Sequence, residues 1–135
     1  MPRIRSGRSH HVGITWQAFC ELLRLEYPML RKNFAGIRES VRTARLRKPN
    51  HGAIASEDQI CHAIDVAAAL YFKNVLCLQR SAAAARLLKR YGFRAEMVIG
   101  VQQLPFLAHA WVEVAGRVVN DKPYVTEIYS VLDRC

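Results

Sequence analysis

Long apolar runs are missing from this sequence. The longest, residues 66–72, is far shorter than the roughly 20 residues that a membrane span requires, and no apolar stretch of signal-peptide length follows the basic start. C-x-x-C pairs are also absent, and the spacing of the four cysteines matches no zinc or haem site. We therefore expect a cytoplasmic protein with free thiols, no membrane contact, no metal and no cofactor.

Sequence features of disorder are lacking as well. The chain is 51% hydrophobic and 23% charged, and it contains no internal repeat or low-complexity segment. Such a composition excludes a disordered chain and indicates a globular one. Its 135 residues are enough for one domain and too few for two.

Acidic residues are scarce in the first 50 residues. This segment holds three of the 11 acidic residues but eleven of the 20 basic ones, so it carries +8 of the net charge of +9. A basic surface attracts an acidic partner, which could be nucleic acid, an anionic membrane or an acidic peptide or protein. A nucleic-acid-binding module is the weaker alternative, because no helix-turn-helix, zinc-finger or RNA-recognition signature is present. The candidate docking residues are Arg31, Arg38, Arg42 and Arg45.

Hydrophobic periodicity divides the first half into helices. Residues 1–14 are unpatterned and predict a flexible basic tail, and Thr15 is the candidate N-cap of a helix that ends at Pro28. A second helical segment spans residues 29–47, and residues 48–52 form a turn-rich linker. Ser56 and Gln59 form a capping box that starts a third helix over about residues 57–73.

The second half changes from helical to strand periodicity. A fourth helix ends at residue 90 before Gly92 and places Cys77 in its first turn. Residues 94–101 and 109–115 predict strands, with a turn at 116–117 into a third short strand. This order predicts an α+β fold, with a small antiparallel sheet packed on the helix that bears Cys77. A single domain over residues 15–135 would then comprise a basic helical front (15–50) and a catalytic part (56–133).

Three residues in the second half have the chemistry of a nucleophilic site. A helix N-terminus stabilises the thiolate of Cys77, a nearby imidazole such as His109 can take the proton, and a carboxylate such as Asp121 can orient that imidazole. In a regular hairpin Asp121 faces His109 only if the strand after the turn bends or ends early. The residues alone leave a second interpretation open, in which Cys77 is a core thiol and His109 a satisfied core histidine.

A resemblance adds to these patterns. The segment C-L-Q-R-S at residues 77–81, the block A-H-A-W-V-E at 108–113 and the pair N-D at 120–121 resemble the leader peptidases of lasso-peptide biosynthesis, which are transglutaminase-like cysteine proteases. The resemblance implies a papain- or transglutaminase-like fold with Cys77 as nucleophile, His109 as general base and Asp121 as orienting acid. It also implies hydrolysis at the junction of leader and core in a precursor peptide.

The same resemblance implies partners. The core freed by this family is closed by an ATP-dependent cyclase, and members without a small recognition sheet depend on a separate leader-recognition protein. The 76 residues before Cys77 show helical and no strand periodicity, so we expect the second arrangement. The basic front would then dock the recognition protein, the leader peptide or the cyclase. Acyl transfer to an amine, which the same fold supports, is an alternative to hydrolysis.

The remaining cleft residues are less defined. Papain-like enzymes carry an oxyanion-hole Gln about six residues before the nucleophile, where this sequence has Tyr71. Candidates for a second oxyanion donor beside the backbone N–H of Cys77 are therefore Asn74, Gln79 and Tyr71. Arg80 could stabilise the thiolate or simply face solvent, and Trp111 could line the cleft or pack in the core. Glu113, on the same strand face as His109, is expected to lie too far from the ring to orient it.

Overall fold

The computed structural model describes residues 7–47 and 55–135 and has the predicted α+β layout, with helices first and an antiparallel sheet second. The strands lie side by side in the order β3-β2-β1-β4. No helix within the described ranges is long and apolar enough to cross a membrane. The elements in chain order are α1 (Gly7–Leu30), α2 (Phe34–Arg42), α3 (Glu57–Ala69), α4 (Cys77–Arg90), β1 (Ala95–Gln103), β2 (Phe106–Val114), β3 (Arg117–Val118), α5 (Val125–Ile128) and β4 (Ser130–Arg134).

The first helix is longer at both ends than the sequence predicts. It begins at Gly7, so residues 7–14 of the predicted flexible tail are helical and Thr15 is not an N-cap; residues 1–6 lie outside the described residues. Its buried side chains include Ile14, which continues the core-facing stripe of the helix to a point before Thr15. Pro28 does not end the helix, because a proline near the last turn removes only one backbone N–H.

The second helix is shorter than predicted. It starts after Asn33, whose side chain accepts a hydrogen bond from the N–H of Gly36 at 2.9 Å, and it ends at Arg42. Ile37 and Val41 are its buried residues and are one helical turn apart. Residues 29–30 therefore belong to α1, residues 43–47 lie after the helix, and the predicted linker at 48–52 lies outside the described residues.

The third and fourth helices begin where the sequence indicates. The capping box of Ser56 and Gln59 is present, although α3 ends at Ala69, before the predicted residue 73. Cys77 is the first residue of α4, and the N-cap position Leu76 offers no side-chain hydrogen bond. Four consecutive buried alanines, residues 82–85, let α4 pack closely against α1 and α3 on one side and against β1 and β2 on the other.

The sheet has one strand more than the three predicted. The β2–β3 turn falls at Ala115 and Gly116, one residue earlier than expected, and both have positive φ. Strand β4 pairs with β1 on the far side from β2. It was missed because its residues are mostly exposed and lack the alternation of a half-buried strand.

Candidate active site

His109 and Asp121 are in direct contact. Oδ2 of Asp121 lies 2.5 Å from Nε2 of His109, and both side chains are about three-quarters buried. The contact is possible because β3 is only two residues long, so the chain leaves the sheet before Asp121 and turns toward β2. From the hairpin spacing, Asp121 was expected to face His109 only if the strand after the turn bent or ended early, and β3 does end early. The second carboxylate oxygen of Asp121 accepts the N–H of Lys122 at 2.7 Å, which fixes its rotamer.

Cys77 occupies the open end of α4. Its side chain is partly exposed, and its backbone N–H belongs to the first turn, where no carbonyl of the same helix can accept it. One turn further along the same face, the hydroxyl of Ser81 donates to the carbonyl of Ala110 at 2.9 Å. Because Ala110 follows His109 directly on β2, this contact sets the face of α4 that carries Cys77 against the strand that carries His109.

Two aromatic rings flank His109. The centroid of Trp111 lies 6.1 Å and that of Tyr129 lies 5.2 Å from the imidazole centroid. Trp111 is fully buried, which agrees with packing in the core rather than with lining the cleft. On β1, opposite His109, stands Gly100, where an added Cβ would meet the Trp111 ring at 2.6 Å. The packing around the imidazole thus has no space for a larger residue at that position.

Glu113 holds Trp111 rather than His109. One carboxylate oxygen of Glu113 accepts the indole N–H of Trp111 at 3.0 Å, and the other accepts from Arg134 at 2.8 Å. Burial opposes ionisation of Glu113, but these two hydrogen bonds outweigh it and lower its pKa below 4.5. The rival carboxylate is therefore an ionised anchor under the site and not the partner of the imidazole.

The polar groups of Tyr71 and Gln79 are already engaged. The amide of Gln79, 1% exposed, donates to Leu22 O at 2.9 Å and to Glu26 Oε2 at 3.0 Å. The phenol of Tyr71 donates to the same carboxylate oxygen at 2.8 Å, and burial together with this bond raises the pKa of Tyr71 to about 12. Since these donors are occupied within the fold, neither side chain is available to an oxyanion.

Asn74 and Arg80 remain open to a ligand. Both line an open cavity of about 830 Å³ beside the start of α4. Arg80 lies 3.5 Å from Asp65, an ion pair in which both side chains are about half exposed. Asn74 is exposed and has no hydrogen-bond partner among the described residues. These two residues stay candidates for contacts with substrate.

The four predicted docking arginines fall into two pairs. Arg38 contacts Asp133 at 2.5 Å, and Arg42 makes two hydrogen bonds to Glu39 at 2.8 and 3.0 Å, so both charges are matched within the chain. Arg31 lies over the ring of Tyr27, and Arg45 has no ion pair in the described part of the chain. Of these four arginines, Arg31 and Arg45 are the two with no acidic partner among the described residues.

No group of three or more His, Cys, Asp or Glu side chains within the described residues could hold a metal ion. The other cysteines do not resemble Cys77 in setting. Burial raises the pKa of Cys61 to about 12, and burial also raises the pKa of Cys135. Cys20 is exposed and lies on α1.

The sequence did not identify three residues that build the site. Ser81 and Asn120 stand within the quoted motifs, but their roles depend on contacts between distant parts of the chain. Tyr129 follows α5 and reaches His109 only because β4 returns the chain to the sheet. The sequence offered one signal for Ser81 and Asn120, which is that they lie in the same motifs as Cys77 and Asp121.

Comparisons with known proteins identify the family. Residues 22–134 match the family described as the transglutaminase-like superfamily. Over 56 residues the chain is 45% identical to the Microcin J25-processing protein McjB of Escherichia coli. That segment spans 42% of this chain and 27% of the relative. No solved structure gives a significant match.

Proposed function

Because the chain belongs to the transglutaminase-like superfamily, we propose that it is a cysteine peptidase that removes the leader from a lasso-peptide precursor. The observation that carries the proposal is the contact of Asp121 with His109, which lies on the strand packed beside the helix that begins with Cys77. The similarity to a microcin-processing protein supports the choice of a ribosomally made peptide as substrate.

The geometry supports one assignment of roles. Asp121 occupies Nε2 of His109, which leaves Nδ1 to exchange a proton with the thiol of Cys77. The Cys77 thiolate attacks the carbonyl carbon of the leader–core bond, and first-turn N–H groups of α4 receive the oxyanion. His109 then protonates the leaving amine, which is the N-terminus of the core. Water, deprotonated by His109, hydrolyses the thioester and releases the leader with a free carboxylate.

The proposed partners are those that the resemblance to the lasso-peptide leader peptidases implies. We propose that a separate protein takes part in recognition of the leader. An ATP-dependent cyclase would consume the freed core. The unmatched charges of Arg31 and Arg45 make these two residues the best candidates for contact with an acidic surface of such a partner.

The test is cleavage of a precursor peptide in the presence of its recognition protein, followed by mass spectrometry. Cys77→Ala is expected to release no leader, and Asp121→Asn to lower kcat by about 10²–10⁴-fold, because the imidazole loses its orienting anion. Cys20→Ala, which removes an exposed cysteine elsewhere, is the matched control and should cleave normally.

Leader release by Cys77→Ala at the wild-type rate would refute the mechanism. A primary amine added to the reaction distinguishes hydrolysis from the alternative, which is acyl transfer to an amine. Hydrolysis gives a leader with a free carboxylate, whereas transfer gives a leader carrying the amine as an amide.

A further inference from the structure

Strand β3 stops before it has covered the edge of β2. The N–H of Val119 donates to the carbonyl of Val112 at 3.0 Å, and this is the last backbone hydrogen bond between the two segments. Beyond it, the N–H of Val112 and the carbonyl of Ala110 still point from β2 toward the side where β3 has ended. Buried backbone groups of this kind require partners.

Two side chains supply those partners. Oδ1 of Asn120 accepts the N–H of Val112 at 2.7 Å, and the hydroxyl of Ser81 donates to the carbonyl of Ala110 at 2.9 Å. Nδ2 of Asn120 in turn donates to the hydroxyl oxygen of Ser81 at 3.2 Å. Together Asn120 and Ser81, which we name the Ser81–Asn120 bridge, take the place that the next residues of a strand would hold.

The Ser81–Asn120 bridge lies close to each proposed catalytic residue in the fold. Ser81 lies one turn after Cys77 on the same face of α4, about 6 Å along the axis. Ala110 directly follows His109, and Asn120 directly precedes Asp121. Three hydrogen bonds meet at Ser81 and Asn120 and together connect α4, β2 and the loop after β3. No other group of side-chain hydrogen bonds in the described part of the chain joins these three elements.

We propose that the Ser81–Asn120 bridge positions the site: it sets the distance between α4 and β2, and it turns the chain out of the sheet so that Asp121 faces His109. This inference rests on the proposed function. Ser81 and Asn120 touch neither substrate nor the reacting atoms, so they are positioning residues. Their loss is expected to weaken the coupling between the thiol, the imidazole and the carboxylate while leaving substrate binding unchanged.

The experiment uses Ser81→Ala and Asn120→Ala in the full chain with Cys20→Ala as background, which leaves Cys77 and Cys135 as the partly exposed thiols among the described residues. Alkylation is therefore followed at the peptide that contains Cys77 by mass spectrometry. Kinetics of precursor cleavage should show kcat lower by about 10–100-fold with KM changed less than about twofold. Ser40→Ala is the matched control, because Ser40 is also a helical serine whose hydroxyl binds a backbone carbonyl, that of Ile37, but it lies on α2.

A second measurement does not depend on peptidase activity. The rate at which iodoacetamide alkylates Cys77 is measured from pH 5 to 9, since only the thiolate reacts. We expect both variants, like Asp121→Asn, to lose most of the reactivity of the wild type at the acidic end. Adding either bridge substitution to Asp121→Asn should cause little further loss of kcat beyond that of Asp121→Asn alone, because the bridge acts through that carboxylate.

The outcomes are distinguishable. Alkylation profiles of Ser81→Ala and Asn120→Ala that match the wild type, while Asp121→Asn differs, would overturn the positioning role and leave the peptidase proposal standing. Losses that multiply fully with Asp121→Asn would overturn it as well. Failure of the wild type to cleave any precursor, with the alkylation profiles shifted as expected, would instead refute the proposed function. Ser81→Ala removes one oxygen atom beside buried alanines, so it remains testable if Asn120→Ala does not fold.

Discussion

The two ends of α4 are fastened to α1 by different chemistry. At the C-terminal end, the carboxylate of Glu21, 1% exposed, binds Arg86 at 2.7 Å and also binds Arg90. At the N-terminal end, five residues further along α1, Glu26 receives neutral donors from Gln79 and Tyr71 and one cation, Lys73.

This difference separates stability from chemistry. The guanidinium groups at the C-terminal end compensate a nearly fully buried carboxylate, and that cluster lies about 13–20 Å along α4 from Cys77. At the N-terminal end, Glu26 fixes the first turn of α4 and the loop before it, which carry the proposed nucleophile and its N–H donors. Substitutions at Glu21 and Glu26 should therefore have different consequences for folding and for catalysis.

The largest expected effect is at the C-terminal end. Glu21→Ala should lower the free energy of unfolding by about 3–5 kcal/mol, because it leaves Arg86 without its buried partner. Urea unfolding followed by circular dichroism measures this loss. Glu39→Ala, which removes an exposed carboxylate paired with Arg42, is the matched control and should leave the unfolding midpoint unchanged.

The kcat of Glu21→Ala tests whether the C-terminal end of α4 contributes to stability alone. The kcat of Glu21→Ala, corrected for the folded fraction, should equal that of the wild type, since the Arg86 cluster is remote from Cys77. A normal unfolding free energy, or a lower kcat for each folded molecule, would contradict the separation of the two ends.

A smaller effect on stability, with a larger one on activity, is expected at the N-terminal end. Glu26→Gln should lower the free energy of unfolding by about 1–3 kcal/mol, because its NH₂ group must face either Lys73 or the pair Gln79 and Tyr71, all of which already donate. Burial opposes ionisation of Glu26, but hydrogen bonds from Lys73, Tyr71 and Gln79 lower its pKa, so the charged form is the one that the site requires. The measurements are urea unfolding and kcat for precursor cleavage.

The comparison of the two ends of α4 depends on which variant, Glu26→Gln or Glu21→Ala, has the lower kcat for each folded molecule. Glu26→Gln should reduce kcat for each folded molecule severalfold, whereas Glu21→Ala should not. Tyr71→Phe, which removes one of the three donors and keeps the ring packed on Phe19, should give an intermediate result. Equal kcat values for Glu26→Gln and Glu21→Ala would remove the distinction.

The sequence predicted the parts of this molecule that local patterns determine. A capping box marked the start of α3, and the change from helical to strand periodicity gave the α+β order. The family resemblance implied the pairing of His109 with Asp121, and the hairpin spacing set one condition for it, an early end of the strand after the turn. Each of these depends on residues within about a dozen positions of one another.

Features that depend on distant contacts were not predictable in the same way. The side chains of Gln79 and Tyr71 carry donor groups of the kind that bind an oxyanion. Both instead bind Glu26, about 50 residues away in sequence. The Ser81–Asn120 bridge joins positions 39 residues apart. Strand β4 forms because β1 has a free edge rather than because its own residues alternate. Only the packed fold assigns partners to such groups.

The smallest expected effect concerns Glu113, which holds Trp111 under the site. Its pKa lies below 4.5, so Glu113 contributes stability above that pH and the contribution disappears as pH falls through the pKa in the folded protein. At pH 7, Glu113→Gln should lower the free energy of unfolding by about 1 kcal/mol, since its partner Arg134 is half exposed and screened by solvent. Urea unfolding from pH 7 to pH 3 should show a smaller difference between the wild type and the variant at the acidic end. A difference that stays constant over this range would show that packing, rather than the charge of Glu113, supports Trp111.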